Sequence, residues 1–313
     1  LQLPEAFTGR VRAVFGNEGI IFLENLEETI CSYVRKWSLE PEVPVGNLSY
    51  NYVLFVRRQD GTPAVFKAGV PGKDSRREIL ATESYRGNGC AALIRSVPED
   101  GVQLLERIRP GAMLSTVSDE AEAARAFCGV WKRLRRPLPA TTEFPSVASM
   151  WEEASRSYRR MHPVGGPVPE EKIRLAGSCF AAVEASCAGR GLLHGDLHHQ
   201  NILLNDRGGW TAIDPHGYSG DPAYDLAPFL YNELEHKPVE ELLALRTGIL
   251  LDELQMSRKR LLQAALAMTV MSACWHAEEE NLDAIRLHNR ITDWYEMQLK
   301  TEDGHGQSSD GLQ

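Results

Sequence analysis

Four residues in one short stretch carry side chains suited to moving a phosphoryl group: His194, Asp196, Asn201 and Asp214, within GLLHGDLHHQNILLNDRGGWTAID. The order is His-x-Asp, an Asn five residues after that Asp, and a second Asp beyond an apolar hairpin, as in phosphoryl-transfer catalytic loops. Asp196 can accept a proton from an attacking hydroxyl. Asn201 and Asp214 are hard oxygen ligands of the kind that hold Mg²⁺ together with waters and substrate phosphates.

The elements around them must bring these groups together. Ile202 to Leu204 read as a strand, Asp206-Arg207-Gly208-Gly209 as a turn and Trp210 to Ile213 as the returning strand. Asn201 and Asp214 then flank the open end of one hairpin. Two plainer readings compete. His194, Asp196 and His198 are competent zinc ligands, and an Asp-rich turn before a strand can be purely structural. The zinc reading leaves Asn201, Asp214 and the hairpin between them unexplained, and the four residues together favour phosphoryl transfer over a structural turn.

A nucleotide side is legible upstream. Lys67 closes a strand after Val65-Phe66, and Glu78 follows on a predicted helix, with Glu83 as the competing partner. A strand lysine held by a helix glutamate is the arrangement that reaches α- and β-phosphates. Gly46-Asn47-Leu48-Ser49-Tyr50, with Ser49 the polar side chain of interest, is a candidate phosphate-covering turn. The backbone C=O of Glu106 and N–H of Ile108 are candidates for holding adenine.

Around these residues, Leu23, Leu26, Ile30, Tyr33, Val34 and Trp37 recur at helical spacing before a break at Pro41–Pro44. Tyr52–Val56 and Ala64–Lys67 flank Gln59-Asp60-Gly61-Thr62, a hairpin signal. Ser75–Arg86 reads as a helix stopping at Gly87-Asn88-Gly89. Ala92–Val97 and Val102–Ile108 form a second strand pair, ended by Pro110-Gly111. Ser118 is the expected N-cap of a helix over Asp119–Leu134. Pro145, Pro163, Pro167 and Pro169 punctuate the chain after that helix, residues 239–299 read as helical, and the polar Thr301–Gln313 tail is expected to be disordered. The fold class expected is α+β, with a small antiparallel-sheet N-terminal lobe and a leading helix over 1–108, and a large, mainly helical lobe over 109–313.

Composition fits this reading. The 313 residues are 43% hydrophobic and 25% charged, with a formal charge of −9, which argues against a phosphate-backbone binder and hence against nucleic acid. Between Asp221 and Glu280 eleven Asp/Glu face five Lys/Arg, so six of the nine net negative charges lie there. No stretch approaches the length of a membrane span, and no secretory signal pattern is seen. The six cysteines form no C-x-x-C pair, so reduced thiols in the cytoplasm are expected.

With these pieces in order the chain resembles the aminoglycoside phosphotransferases, in the streptomycin 6-kinase and hydroxyurea phosphotransferase branch. The resemblance runs from about Leu26 through Trp37-Ser38-Leu39, Asp60 to Lys67, Leu105-Glu106-Arg107 and Leu193 to His199, and on to Ser272-Ala273-Cys274-Trp275. Ile213-Asp214-Pro215 and Gly220 to Ala227 are typical of that branch. It implies a two-lobed protein-kinase-like fold, with a nucleotide-binding lobe over 1–108 and a catalytic and acceptor-binding lobe over 109–313, ATP as donor and a small hydroxylated or N-hydroxylated acceptor. Asp196 would be the base, Asn201 and Asp214 the Mg²⁺ ligands, and Lys67 with Glu78 the phosphate anchor. His194 and Asp225 would brace the catalytic loop.

For the acceptor, the acidic surface and the π-face of Trp275 point to a cation, bound by Trp275 and Glu278 with Glu279 and Glu280 nearby. Buried packing of Trp275 beside Met268, Met271 and Cys274, and a solvated Glu triplet, are the alternatives. The functions set against an aminoglycoside or hydroxyurea kinase are a kinase of another metabolite alcohol, a non-catalytic nucleotide-binding module and a zinc hydrolase.

Overall fold

The computed structural model describes residues 2–46, 48–140 and 144–309. The chain divides into two compact units, Leu1–Gly111 with Leu204–His216, and Ala112–Leu203 with Gly217–Gln313.

The first unit opens with a helix, α1 (Glu5–Lys36), that buries Phe7, Val11, Phe22, Leu26, Ile30 and Tyr33 and bends at Gly16, whose φ is 53°. It begins well upstream of Leu23, the first residue of the periodic stripe. Next come β1 (Glu40–Pro44), β2 (Tyr52–Arg57) and β3 (Pro63–Ala68), then helix α2 (Lys73–Tyr85), β4 (Leu93–Val97) and β5 (Val102–Glu106). These five strands form one antiparallel sheet in the order β1-β2-β3-β5-β4. Alternation sets its faces: Tyr52, Leu54 and Val56 of β2, and Ala64, Phe66 and Ala68 of β3, join a core with Leu26, Ile30 and Leu104. The β2–β3 turn works as its residues dictate, with Gly61 at φ 80° and Asp60 Oδ1 accepting from Thr62 N at 3.0 Å.

Three local expectations differ from the structure. Pro41 and Pro44 do not break the chain into a loop but sit in β1, an edge strand with an irregularity between them; an edge position tolerates a missing N–H. Pro110-Gly111 does not end the strand region but starts β6 (Pro110–Met113). The cap of the next helix, α3 (Glu120–Leu134), is Asp119 rather than Ser118, because its Oδ1 accepts from Ala121 N and Glu122 N at 2.8 and 3.1 Å.

After α3 come α4 (Val147–Met161), α5 (Glu170–Ala185) and the short strand β7 (Gly191–Leu193). The hairpin of β8 (Ile202–Asn205) and β9 (Trp210–Ala212) is next, closed by Asn205 N to Gly209 O at 2.7 Å, and β6, β8 and β9 make a three-stranded sheet. Strand β10 (Tyr218–Gly220) pairs antiparallel with β7. Helices α6 (Ala227–Tyr231), α7 (Val239–Leu254), α8 (Arg258–Glu278) and α9 (Leu282–Ser309) complete the second unit. Helix α8 is buried on nearly every side from Leu261 to Cys274 and packs against α4, α5, α6 and α9. A helix apolar all round is a central one. The 239–299 stretch is therefore three helices, interrupted at Ser257 and around Glu280. The polar tail also departs from expectation, since α9 continues through Ser309: extending a formed helix adds one hydrogen bond per residue without a new nucleation step. Residues 310–313 of that tail lie outside the described residues.

Candidate active site

In the first unit, Lys67 stands on β3 with only 3% of its side chain exposed. Its Nζ is 2.7 Å from Glu78 Oε1 on α2 and 3.0 Å from Asp214 Oδ1, beyond β9. Burial pushes the ammonium pKa down, and the Asp214 and Glu78 carboxylates outweigh that and hold it above its ordinary value. Of the two candidate partners the geometry selects Glu78; Glu83 is exposed. Asp214 holds a positive φ of 58°, a strained backbone for a non-glycine residue and one that persists where the surroundings fix it.

Two partners of Glu78 escaped the sequence reading. Gln103 Nε2 donates to Glu78 Oε1 at 2.5 Å, and Asn51 Nδ2 to Oε2 at 3.4 Å. Gln103 is 3% exposed and lies directly across the ladder from Lys67. Only the β3–β5 register reveals that adjacency. Arg77 was also missed: its Nε donates to His216 O at 2.9 Å, tying α2 to the segment that carries Asp214.

The candidate phosphate-covering turn occupies the β1-to-β2 connection, with Asn47 outside the described residues. Ser49 is exposed, and its carbonyl and that of Leu48 accept from Arg10 of α1, Leu48 O at 2.5 Å. The Glu106 carboxylate accepts from Ala92 N at 3.1 Å. Arg107, between Glu106 and Ile108, pairs with Glu42 at 2.5 Å and lies 3.8 Å from the Phe55 ring centroid. Neither Ser49, Glu106 nor Ile108 is bonded to the Lys67 cluster.

In the second unit, β7 delivers a fully buried His194 into a tight turn at Gly195, whose φ is 86°. Both oxygens of Asp225 brace that turn, accepting from His194 N and Gly195 N, each at 2.7 Å. Burial pushes the Asp225 carboxyl up to about 7, against those two N–H bonds, which lower it. His194 Nδ1 accepts from Asp196 N at 3.3 Å. Asn201 Nδ2 donates to Asp196 O at 2.9 Å and to Asp196 Oδ2 at 3.0 Å. The same amide nitrogen lies 3.2 Å from His198 Nε2. Asp196 is 34% exposed, with His198 Nε2 at 3.4 Å. His194, Asp196, Asn201 and Asp225 thus form one hydrogen-bonded group.

The histidines of HGDLHH go to separate places. His194 is spent on the Asp196 backbone, His198 lies beside Asp196, and His199 stacks on Phe229 with centroids 4.3 Å apart. Among the described residues no group of three or more His, Cys, Asp or Glu is arranged to hold a metal ion. An all-protein zinc cage needs three or four such ligands, whereas Mg²⁺ relies on one or two carboxylates, waters and phosphates.

Segment 229–233 packs on the same loop, since Gln200 Nε2 donates to Glu233 Oε1 at 2.9 Å. Its shape is set by Arg246, fully buried, which bonds Glu120 Oε2 and the carbonyls of Phe229, Leu230 and Asn232, the last at 2.7 Å. Nothing in the local sequence distinguishes Arg246 from a surface arginine. Trp275 and Glu278 stand on the final turns of α8, Trp275 half-buried and Glu278 exposed, outside the hydrogen-bond network of the loop.

Residues 36–280 match the model of the family described as aminoglycoside/hydroxyurea antibiotic resistance kinase. The chain belongs to that family. It is an ATP-dependent phosphotransferase by that membership. Its relatives include the streptomycin 6-kinase of Streptomyces griseus, 27% identical with 89% of this chain and 92% of the relative covered. The hydroxyurea phosphotransferase of Kitasatospora aureofaciens is 30% identical, with 84% and 77% covered. Among solved structures, choline kinase LicA from Streptococcus pneumoniae superposes with a TM-score of 0.60 at 15% identity, covering 87% of this chain and 98% of that one. A thermostable mutant of the aminoglycoside phosphotransferase APH(4)-Ia, solved with ADP and hygromycin B, gives 0.63 at 11% identity, covering 85% of this chain and 96% of that one. Likeness at that level shows the fold: protein-kinase-like, an antiparallel sheet followed by a mainly helical part. Among the described residues no helix is long and apolar enough to cross a membrane.

Proposed function

We propose that this family member transfers the γ-phosphoryl group of ATP to a hydroxyl of a streptomycin-type aminoglycoside, with hydroxyurea as the other candidate acceptor. Residues 1–108 serve the nucleotide and residues 109–313 supply the catalytic loop and the acceptor contacts. Asp196 takes the acceptor's hydroxyl proton as the new O–P bond forms and the β–γ bridging oxygen leaves with ADP. What supports this reading is the Asn201 amide nitrogen, bonded to both the carbonyl and the carboxylate of Asp196. The base is thereby held by a side chain whose amide oxygen is a hard ligand of the kind that suits Mg²⁺.

Lys67, steadied by Glu78, anchors the donor phosphates, and Ser49 belongs to the turn that covers them. The backbone of Glu106 and Ile108 takes the adenine. Asn201 and Asp214 fit Mg²⁺, being one amide oxygen and one carboxylate that is 41% exposed. When bound, the ion neutralises charge on the phosphates. His194 and Asp225 position the loop. Trp275 and Glu278, within the acidic 221–280 stretch, draw a cationic acceptor, and the reaction belongs in the cytoplasm.

The test is a mass-spectrometric screen of streptomycin, other aminoglycosides and hydroxyurea with Mg-ATP. A phosphate gained by streptomycin is the expected result. No phosphate on any of them, from a protein that binds Mg-ATP, would overturn the acceptor assignment.

A further inference from the structure

Lys67 and Gln103 oppose each other across the β3–β5 ladder, and residues so opposed project side by side from one face of the sheet. Their ladder neighbours Phe66 and Leu104 go to the other face and into the core. Gln103 is 3% exposed. Its Nε2 donates to Glu78 Oε1 at 2.5 Å, the same oxygen that holds Lys67 Nζ at 2.7 Å. Chemistry fixes which way round the amide lies: an ionised carboxylate accepts and cannot donate, so the NH₂ end must meet it. Asn51 Nδ2 reaches the other carboxylate oxygen only at 3.4 Å, which leaves Gln103 as the close amide donor.

The other end of that amide shows that the contact has a cost. Gln103 Oε1 is buried with no hydrogen-bond partner among the described residues, and an orphaned buried acceptor is destabilising. Leucine or methionine would fill the same space, between Val102 and Leu104 of β5, without it. Packing alone therefore does not account for a glutamine here, and the bond to Glu78 does.

We propose that Gln103 is a positioning residue for phosphoryl transfer: it pins Glu78 Oε1 where that oxygen aims Lys67 at the donor phosphates. This rests on the reading of Lys67 as the nucleotide anchor. The ammonium is shared between Glu78 and Asp214, and in that reading Asp214 also serves Mg²⁺. An Asp214 so shared holds the lysine less, and the fixing of Glu78 then decides where Lys67 stands. A glutamate side chain has several rotatable bonds, and a second donor on the very oxygen that meets Lys67 removes that freedom. Being neutral, Gln103 does so without competing for the lysine, as a carboxylate would, or repelling it, as a second cation would.

The test measures Mg-ADP affinity by calorimetry and adenosine affinity by competition, on the full chain. The variants are Gln103→Leu, Gln103→Met, Lys67→Ala and Lys67→Ala/Gln103→Leu. Lys67 serves phosphates and not the nucleoside, so both Gln103 variants should weaken Mg-ADP roughly tenfold, the lower end for one hydrogen bond to a charged group. Adenosine affinity should not change. With Lys67 already removed, Gln103→Leu should have no further effect on Mg-ADP, because a positioning residue acts only through the group it positions. An equal loss for adenosine would show a packing defect and overturn the proposal, as would full additivity with Lys67→Ala. If Lys67→Ala weakens Mg-ADP and neither Gln103 variant does, this inference alone falls. If Lys67→Ala leaves Mg-ADP affinity unchanged, the lysine anchor falls and the inference with it.

Discussion

Lys67 Nζ stands 3.0 Å from Asp214 Oδ1 while holding Glu78 Oε1 at 2.7 Å, so a residue of β3, one of α2 and one beyond β9 share a single buried ammonium. Two carboxylates on one cation make that cation hard to replace. Lys67→Ala should weaken ATP binding and slow transfer, and Glu78→Gln should do less, because Asp214 still holds the lysine. Glu83→Ala should be silent. ATP calorimetry on the three variants decides it, and a Glu83→Ala defect equal to that of Lys67→Ala would remove Glu78 from its place.

Asp214 has one oxygen on Lys67 and is still 41% exposed, which leaves it able to meet a metal. Chelating Mg²⁺ should stop turnover, and Asp214→Asn should weaken the metal-dependent part of nucleotide affinity. If Mg-ATP affinity is the same in Asp214→Asn as in the wild type, Asp214 is not a ligand.

Arg246 is fully buried against Glu120 and three carbonyls. Removing one side of a buried pair typically costs about 3–5 kcal/mol, so Arg246→Ala should lower the denaturation midpoint sharply. A loss below about 1 kcal/mol, the range of an ordinary surface change, would mean that the pair is not what shapes 229–233.

Two buried histidines set the acid side of the stability profile. Burial, and then the charges of Arg246, His198 and Lys237, hold His199 down at about 2; burial and His276 hold His288 at about 4, against the Ala284 carbonyl that raises it. Both folded values lie below the ordinary 6.5, so the unfolded chain takes up these protons first as pH falls. The stability associated with keeping them neutral is complete above that ordinary value and is lost progressively below it, down to each folded value. Between pH 7 and 5 each histidine should therefore take on the order of 1–2 kcal/mol from the folding free energy, partly offset by Asp225, whose carboxyl is pushed up to about 7, and melting temperature should drop. His288→Asn should flatten the slope. An unchanged slope in that variant would show that His288 takes up its proton in the folded protein as readily as in the unfolded chain.

The candidate site was legible where chemistry is local in sequence. His194, Asp196 and Asn201 sit within one loop, and the β8–β9 hairpin is dictated by its Gly208-Gly209 turn. The β2–β3 hairpin was equally plain from Asp60-Gly61. What stayed hidden depends on register and long-range packing. Gln103 reaches Glu78 only because β3 and β5 pair as they do, and Arg246 reaches Glu120 across the helical unit. Strands β7 and β10, three residues each, are too short to show a period of two. Strand β1 was masked by its prolines, which forbid a central strand but not an edge.

The central claim is that Asp196 removes the acceptor proton, and single-turnover phosphoryl transfer in Asp196→Asn tests it most directly. With the acceptor found by the mass-spectrometric screen, transfer should fall by roughly 10²–10⁴, the usual contribution of a general base, while Mg-ATP affinity measured on the same protein stays at the wild-type value. Transfer at the wild-type rate in that variant would contradict the account.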